Sequence, residues 1–452
     1  MLTNKPTYYY SIIRKKFSNS YFAEDERQVI IGIDCEYFDS NEYSYDSLKK
    51  IYNSFVKQKR LSPFAGLFGT FAYESIHFFE KIGKIEKEQF KFPQFVFANA
   101  KAYLHYSKTS KEFSFYGNEE KYFSFLNDKI SEKFNDSDLF YDIKTDFEEE
   151  KSHYYEIIEK AKEYIKSGDI FQVVLSEQLK LTSNMDSLDF YEKLSKANPS
   201  PYMYHFPTKY GDIVGSSPEI LVDISSDNIY IAPIAGTRPR GKDANEDAFL
   251  ANDLLNDEKE CAEHRMLVDL ARNDIGKFSE SGSVVVKNLM HIKNYEHVMH
   301  IVTDVYGKKR KDVSIFEVIA QALPAGTLSG SPKIRAMQII SELETFKRNV
   351  YAGGIGFLRF NGDVQLAIII RTAFFENKNY DLNEVDEVRN VFIQAGAGIV
   401  FDSVKEKEYD EISDKMTKLS FEGISEDERL AIIPEVCVFF RDHLFRGNRS
   451  RK

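Results

Sequence analysis

Apolar positions repeat at two intervals along this chain, and the changes between them mark its elements. Runs alternating at period two, or continuously apolar over four to eight residues, predict strands at 27–34 (RQVIIGID), 92–107 (FPQFVFANAKAYLHYS) and 170–181 (IFQVVLSEQLKL). Period-3.6 patterns predict an amphipathic helix over 45–58 (YDSLKKIYNSFVKQ) and a longer one over 152–169. Further strands follow at 211–217, 219–225 and 228–236, then a long helix containing Glu260 and Glu263, then strands at 349–360, 364–375 and 390–401. The order is mixed and not a regular βα alternation, so the expected class is α+β, with mostly antiparallel sheets forming a central sandwich and helices outside. The polar, acidic stretch 131–152 reads as a crossing between an N-terminal lobe, 1–145, and a chemistry-bearing region, 146–420, with 421–452 as an atypical tail. The segments FAGLFGTFAYE and YAGGIGFLRF share an aromatic-Ala-Gly-x-apolar-Gly pattern, a single echo that does not amount to a repeat.

Composition narrows the function classes. With 452 residues, 42% hydrophobic and 14% aromatic, the chain can bury a large core. A net charge of −11 argues against a nucleic-acid partner, which needs a basic face. No apolar run is long enough to span a membrane and the start has no secretory pattern, so a soluble cytoplasmic protein is expected. Cys35, Cys261 and Cys437 are dispersed, without metal or nucleophile spacing, and are expected to be reduced packing residues. Tryptophan is absent from the chain.

Two acidic patterns stand out: Glu260-x-x-Glu263 and Glu408-x-x-Glu411, nearly 150 residues apart. Residues three apart share a helix face, so each pattern offers two carboxylates to one side. If the faces meet, like charges ~5 Å apart repel by roughly 3 kcal/mol per pair at an effective dielectric near 20, and such a cluster calls for a cation. Oxygen-only donors suit Mg²⁺. The plain alternative is two solvated helix faces neutralised by Lys259, Arg265, Lys407 and Lys415. Arg371 ends the apolar run LAIIIR, and a guanidinium there must find an anion, either a substrate carboxylate or an internal acid. The glycines of LPAGTLSGSPK and QAGAGIVF allow close backbone approach but match neither a dinucleotide fingerprint nor a phosphate loop.

In order, GDIFQVVLS, NPSPYMY, GSSPEILV, PIAGTRPRG, the Glu260 helix, HVMHIV, PAGTLSGSPK, YAGGIGF, IIIRTAFF and AGAGIVFDS extend from 168 into the second acidic pattern. This series resembles the chorismate-utilising enzymes, most closely the synthase component of anthranilate synthase. The first 145 residues fit more loosely and the tail does not fit. The resemblance implies Mg²⁺ held by Glu263 and Glu411, with Glu260 and Glu408 adjoining, and chorismate gripped by its carboxylates. It implies that Tyr351, Arg371, Lys415 and the backbone of Gly396, Ala397 and Gly398 hold substrate, with Gly236 and Thr237 lining the same cavity. Glu219 matches the family's acid for the departing 4-hydroxyl, His300 the histidine linked to pyruvate loss, and Thr327 a hydrogen-bonding partner of substrate or intermediate.

Two positions separate the relatives. Enzymes making aminodeoxychorismate often carry a nucleophilic Lys where this chain has Ala235, and isochorismate-forming relatives a Lys base where it has Gln172. The pair favours amination at carbon 2, with aminodeoxychorismate synthase as the alternative. The resemblance further implies a separate glutamine amidotransferase subunit supplying ammonia, and a tryptophan site built from Pro201, Tyr202 and Met203 with the Phe22–Asp25 segment. There Asp25 replaces the family serine.

Overall fold

The computed structural model describes residues 5–122, 139–295, 298–383 and 387–421. The tail, and Cys437 within it, lies outside the described residues, as does part of the 131–152 crossing. Among the described residues the strands form two antiparallel sheets, one of 11 and one of 10 strands, with helices on their outer faces. The expected α+β architecture is the one observed.

The strands predicted from alternation are present: Gln28–Ile33, Phe95–Asn99 with Ala102–Ser107, and Gln172–Ser183. The two predicted helices are Tyr45–Val56, capped by Ser44 accepting from the Ser47 amide, and Phe147–Lys166, capped by Asp146. The two echoing glycine segments lie side by side: Gly66–Phe71 pairs with Gly354–Arg359, and Gly69 faces Gly356. A Cβ on Gly69 would come within 2.1 Å of the Val96 carbonyl oxygen on the next strand, so close strand approach excludes a side chain there.

Aromatic side chains close the sandwich. Tyr21 of one sheet stacks on Phe68 of the other at 4.3 Å between centroids, and Phe206 meets Phe68 edge-on at 5.3 Å. One hydrophobic cluster runs from Tyr9 to Met416. Strands from residues 1–145 and from 146–420 contribute to both sheets.

Twice the chain steps from one sheet to the other at a place that matters for chemistry. Strand Gly211–Ser217 of the larger sheet leads through Pro218 and Glu219 into Ile220–Ser225 of the smaller one. Strand Val364–Ile368 of the smaller sheet leads through residues 369–371 into Thr372–Glu376 of the larger. The steps are bonded together: the Ile368 amide donates to the Glu219 carbonyl (3.0 Å) and the Ser216 amide to the Arg371 carbonyl (3.1 Å). The predicted continuous strand 364–375 is therefore two strands, broken where Arg371 adopts φ 50°. A non-glycine residue held left-handed costs on the order of 1 kcal/mol, and such strain gathers at functional sites.

Candidate active site

Because the two crossovers touch, Glu219 and Arg371 enter one space. Glu219 is 7% exposed, and burial raises its carboxyl to about 8 despite the opposing pull of Thr327, the Ile234 amide and Arg371. The Thr327 hydroxyl donates to Glu219 Oε1 at 3.0 Å. A carboxyl in this state is protonated at neutral pH and able to give a proton away. Arg371 donates from one guanidinium nitrogen to Asn198 Oδ1 at 3.3 Å, and its charge also bears on His300 and Tyr295.

His300 lies on strand Val298–Lys308, opposite Thr237. Its Nδ1 is 3.0 Å from the Gly236 carbonyl and 3.1 Å from the Thr237 hydroxyl. A carbonyl only accepts, so Nδ1 carries the proton and the neutral ring presents a bare Nε2. Burial lowers the imidazole to about 4, which keeps it neutral. Tyr295 packs edge-on against it at 5.4 Å.

Gly236 sits at a bulge with φ 73°, where a Cβ would press to 3.2 Å from Glu260 Oε2. The glycine thus lets the acidic helix close on the strand. Arg238, two residues on, fixes that approach: it donates to Asp257, whose carboxylate caps helix Glu258–Gly276 by accepting from the Lys259 and Glu260 amides.

The second acidic helix, Lys405–Phe421, packs on strand Arg389–Ile399 and on helix Phe147–Lys166, where Tyr409 donates to the Phe147 carbonyl at 3.2 Å. The two acidic faces come within electrostatic reach. Burial, then the charges of Glu260, Glu408 and Glu411, push Glu263 up to about 7 against the pull of Lys259. Burial also raises Glu260 and Glu408, and in both the Glu411 charge adds to the rise. The four carboxylates are thus coupled electrostatically, most strongly at Glu263. Among the described residues no group of three or more acidic, His or Cys side chains is arranged to hold a metal ion. In kind and charge these all-oxygen donors suit a hard divalent cation.

Lys415, expected to meet a substrate carboxylate, donates to Glu411 at 2.6 Å and to the Gly396 carbonyl at 3.0 Å. It neutralises one acid of the cluster and docks that helix onto the glycine strand. Gly396 and Gly398 sit on one face of their strand, with Ala397 buried on the other. A Cβ on Gly396 would meet the Tyr351 hydroxyl at 2.9 Å, and one on Gly398 would strike Gln172 Nε2 at 2.4 Å. The glycines are the floor beneath these side chains. Gln172 is 7% exposed, and its Oε1 has no hydrogen-bond partner among the described residues, an acceptor left open in a buried place.

The remaining predicted cluster assembles elsewhere. Asp25 pairs with Tyr202 and Glu24 with Met203 across neighbouring strands, beside a cavity of about 30 Å³ between the sheets. Asp25, Pro201 and Tyr202 also border an open cleft of about 1080 Å³. Asp25 is already used locally, accepting from the Arg27 and Gln28 amides at 2.7 and 2.9 Å and from Gln28 Nε2 at 3.1 Å.

With this geometry in view, the family of chorismate binding enzymes matches residues 6–420. The chain belongs to that family. Anthranilate synthase component 1 of Acetivibrio thermocellus is 52% identical over 262 residues, covering 58% of this chain and 50% of the relative. The same component of Methanothermobacter thermautotrophicus is 41% identical over 370 residues, covering 80% and 76%. The chain thus aligns with about half the length of the first of these relatives and three quarters of the second. Among solved structures, anthranilate synthase component I from Streptococcus pneumoniae superposes with a TM-score of 0.71 at 31% identity, over 89% of this chain and 92% of that one. The menaquinone-specific isochorismate synthase of Escherichia coli shares the fold at a TM-score of 0.70, 18% identity and coverage of 89% and 88%.

Sequence reasoning missed Tyr295, which packs on His300, and the buried Arg348–Glu344 pair. Glu344 and Arg348 do stand four apart, but helix Lys333–Leu343 ends before them, so no helical face signals the pair.

Proposed function

We propose that this chain is the synthase subunit of an anthranilate synthase, converting chorismate and ammonia to anthranilate, pyruvate and water. The observation that carries the reading is the pairing of a protonated, buried Glu219 with a neutral His300 beside Arg371, an acid and a base whose environments drive their pKa values in opposite directions. Arg371 and Tyr351 would anchor substrate carboxylates, assisted by the strand Gly396–Gly398. Glu219, aligned by Thr327, would protonate the 4-hydroxyl as it leaves while ammonia attacks carbon 2. Gln172 Oε1, the open acceptor, would orient an ammonia N–H. His300 Nε2 would then take the proton from carbon 2 as the carbon–oxygen bond to the enolpyruvyl group breaks. The expelled enolpyruvate, protonated on its methylene carbon, becomes pyruvate and the ring becomes aromatic. Glu260, Glu263, Glu408 and Glu411 would hold Mg²⁺, which supplies electrostatic stabilisation for a ring carboxylate.

Ala235, at the head of the Gly236 bulge, offers no amine for a covalent intermediate, which disfavours the aminodeoxychorismate reading. Purified chain incubated with chorismate, Mg²⁺ and an ammonium salt at alkaline pH is expected to yield fluorescent anthranilate. Salicylate or a para-aminobenzoate precursor as the product rejects the assignment. Glutamine is expected to replace ammonium only when a class I amidotransferase subunit is added, as for a cytoplasmic two-component enzyme. Tryptophan is expected to bind where Asp25 faces Tyr202. Since the small cavity there, of about 30 Å³, is far too small for an indole, binding must open the sheets or use the adjoining cleft. Flat calorimetric titrations and flat activity across tryptophan concentrations would remove that expectation.

A further inference from the structure

Arg348 is fully buried, and each of its three guanidinium nitrogens donates a hydrogen bond. Nε donates to Glu344 Oε2 at 2.8 Å and one terminal nitrogen to Glu344 Oε1 at 2.5 Å. That same nitrogen reaches the Val174 carbonyl at 2.7 Å, and the other terminal nitrogen the Leu328 carbonyl at 2.7 Å. The cation lies between the rings of Tyr73 and Tyr351, at 4.9 and 5.6 Å from their centroids. Glu344 Oε1 also accepts from the Ser176 amide (2.9 Å) and hydroxyl (2.8 Å), and Gln394 Nε2 donates to that hydroxyl at 2.9 Å.

Each endpoint neighbours a residue of the site. Leu328 follows Thr327, Val174 is two residues from Gln172, Tyr351 is itself a site residue, and Ser176 pairs with Gly396. Val174 and Ser176 lie on strand Gln172–Ser183, already paired with the Gly396 strand, while the Leu328 and Tyr351 segments come from elsewhere in the chain and join this pair through Arg348. We propose that the Arg348–Glu344 pair is a positioning element that holds the Thr327 and Tyr351 segments in register with the paired Gln172 and Gly396 strands for the reaction. A planar fork with several fixed donors can bridge carbonyls on separate elements, and the point charge of a lysine cannot. The inference rests on the functional reading above, since register matters only if those segments act on one substrate.

Arg348→Lys keeps the charge and loses the fork. The expected result is a folded protein whose kcat falls on the order of 100-fold, the effect of a displacement of about 1 Å among reacting groups. A readout independent of turnover is the titration of the Glu219 carboxyl, followed by its infrared C=O band and assigned by difference against Glu219→Gln. Because the Thr327 hydrogen bond lowers the Glu219 pKa, slipping the Leu328 segment is expected to move that titration to higher pH. Thr327→Val is expected to move it likewise, and adding Arg348→Lys to Thr327→Val to move it no further. Arg389→Lys, at a buried ion pair with Asp212 away from the site, serves as the control for general loosening and is expected to leave the titration in place.

An unshifted Glu219 band in folded Arg348→Lys, or an equal shift in Arg389→Lys, overturns the proposal. Should Arg348→Lys not fold, Glu344→Gln carries the same measurement; failure of both to fold makes the pair purely architectural and ends the proposal. If the parent chain makes no anthranilate while the band still shifts, the functional reading falls and the positioning role stands. Anthranilate formation with no shift does the reverse.

Discussion

Two charged regions of this molecule handle burial in opposite ways. Around Arg348 and Glu344, opposite charges are fully enclosed and each polar atom finds its partner inside the chain. Between helices Glu258–Gly276 and Lys405–Phe421, four acidic side chains lie within electrostatic reach of one another, and Lys415 pairs with one of them. The first arrangement needs nothing further and acts as scaffold. The second is held in place by packing, capping by Asp257 and the missing Cβ of Gly236, and under the proposed function its repulsion would be relieved by a cation. Charge answered within the chain keeps shape, and charge left over is available to a ligand.

The sharpest way to break this comparison is to neutralise one carboxylate of each kind. Glu263→Gln is expected to lower anthranilate formation on the order of 1,000-fold, as loss of a preorganised electrostatic group does, while leaving Tm unchanged or slightly raised. In the parent chain Mg²⁺ is expected to raise Tm by mass action, and in the variant much less. A fall in Tm without added metal would show that these carboxylates hold structure after all. Arg348→Met should do the opposite, removing ~3–5 kcal/mol of stability in urea unfolding because Glu344 loses its cation in the interior and keeps only the Ser176 donors.

Glu219 lies between the two cases, buried like Glu344 but lacking a tight ion pair. Glu219→Gln is expected to reduce kcat by ~100- to 10,000-fold, the range for loss of a general acid. The parent's kcat is expected to decline as pH rises through about 8, where Glu219 gives up its proton. The residual activity of the variant should lack that decline. An alkaline limb that survives in Glu219→Gln assigns the ionisation to another group.

How much of this was legible in the letters follows from how local each cause is. Strands such as Gln28–Ile33 and the acidic helix faces rest on periodicity and capping within a few residues, and both were visible. The break at Arg371 was not, because LAIIIRTAFF reads as one apolar strand and only the exchange of sheets at 369–371 divides it. Helix Ala244–Asn256 and the hairpin Val285–Asn294 with Val298–Lys308 were passed over, since much of the helix and of the first hairpin strand faces solvent and shows little apolar repetition. Among site residues, Glu219, His300, Thr327 and Arg371 stand out through ordered motifs. Arg348 looks like another charged residue in TFKRN, and its role exists only once Leu328 and Val174 have been brought beside it.

The smallest effect tests whether an unanswered carboxyl always marks a ligand site. Glu150, on helix Phe147–Lys166, is 8% exposed and neither carboxyl oxygen has a hydrogen-bond partner among the described residues. Burial, with the Glu177 charge adding, raises it to about 8, and it faces Tyr409 as well as Glu177. A proton answers this charge, so the residue is expected to cost stability as pH rises from the unfolded carboxylate range toward 8. The sign follows from linkage: a folded pKa above the unfolded value makes stability complete below the unfolded pKa of about 4.3 and erodes it as pH climbs toward 8. Glu150→Gln should therefore match the parent below about pH 4 and exceed it by ~2 kcal/mol near pH 9, allowing for local opening that lets the charged form reach water. Anthranilate formation at neutral pH should be unchanged. If the variant instead loses activity while remaining folded, Glu150 belongs with the acidic helices as an acceptor for a ligand, and the division between answered and unanswered charge must be redrawn.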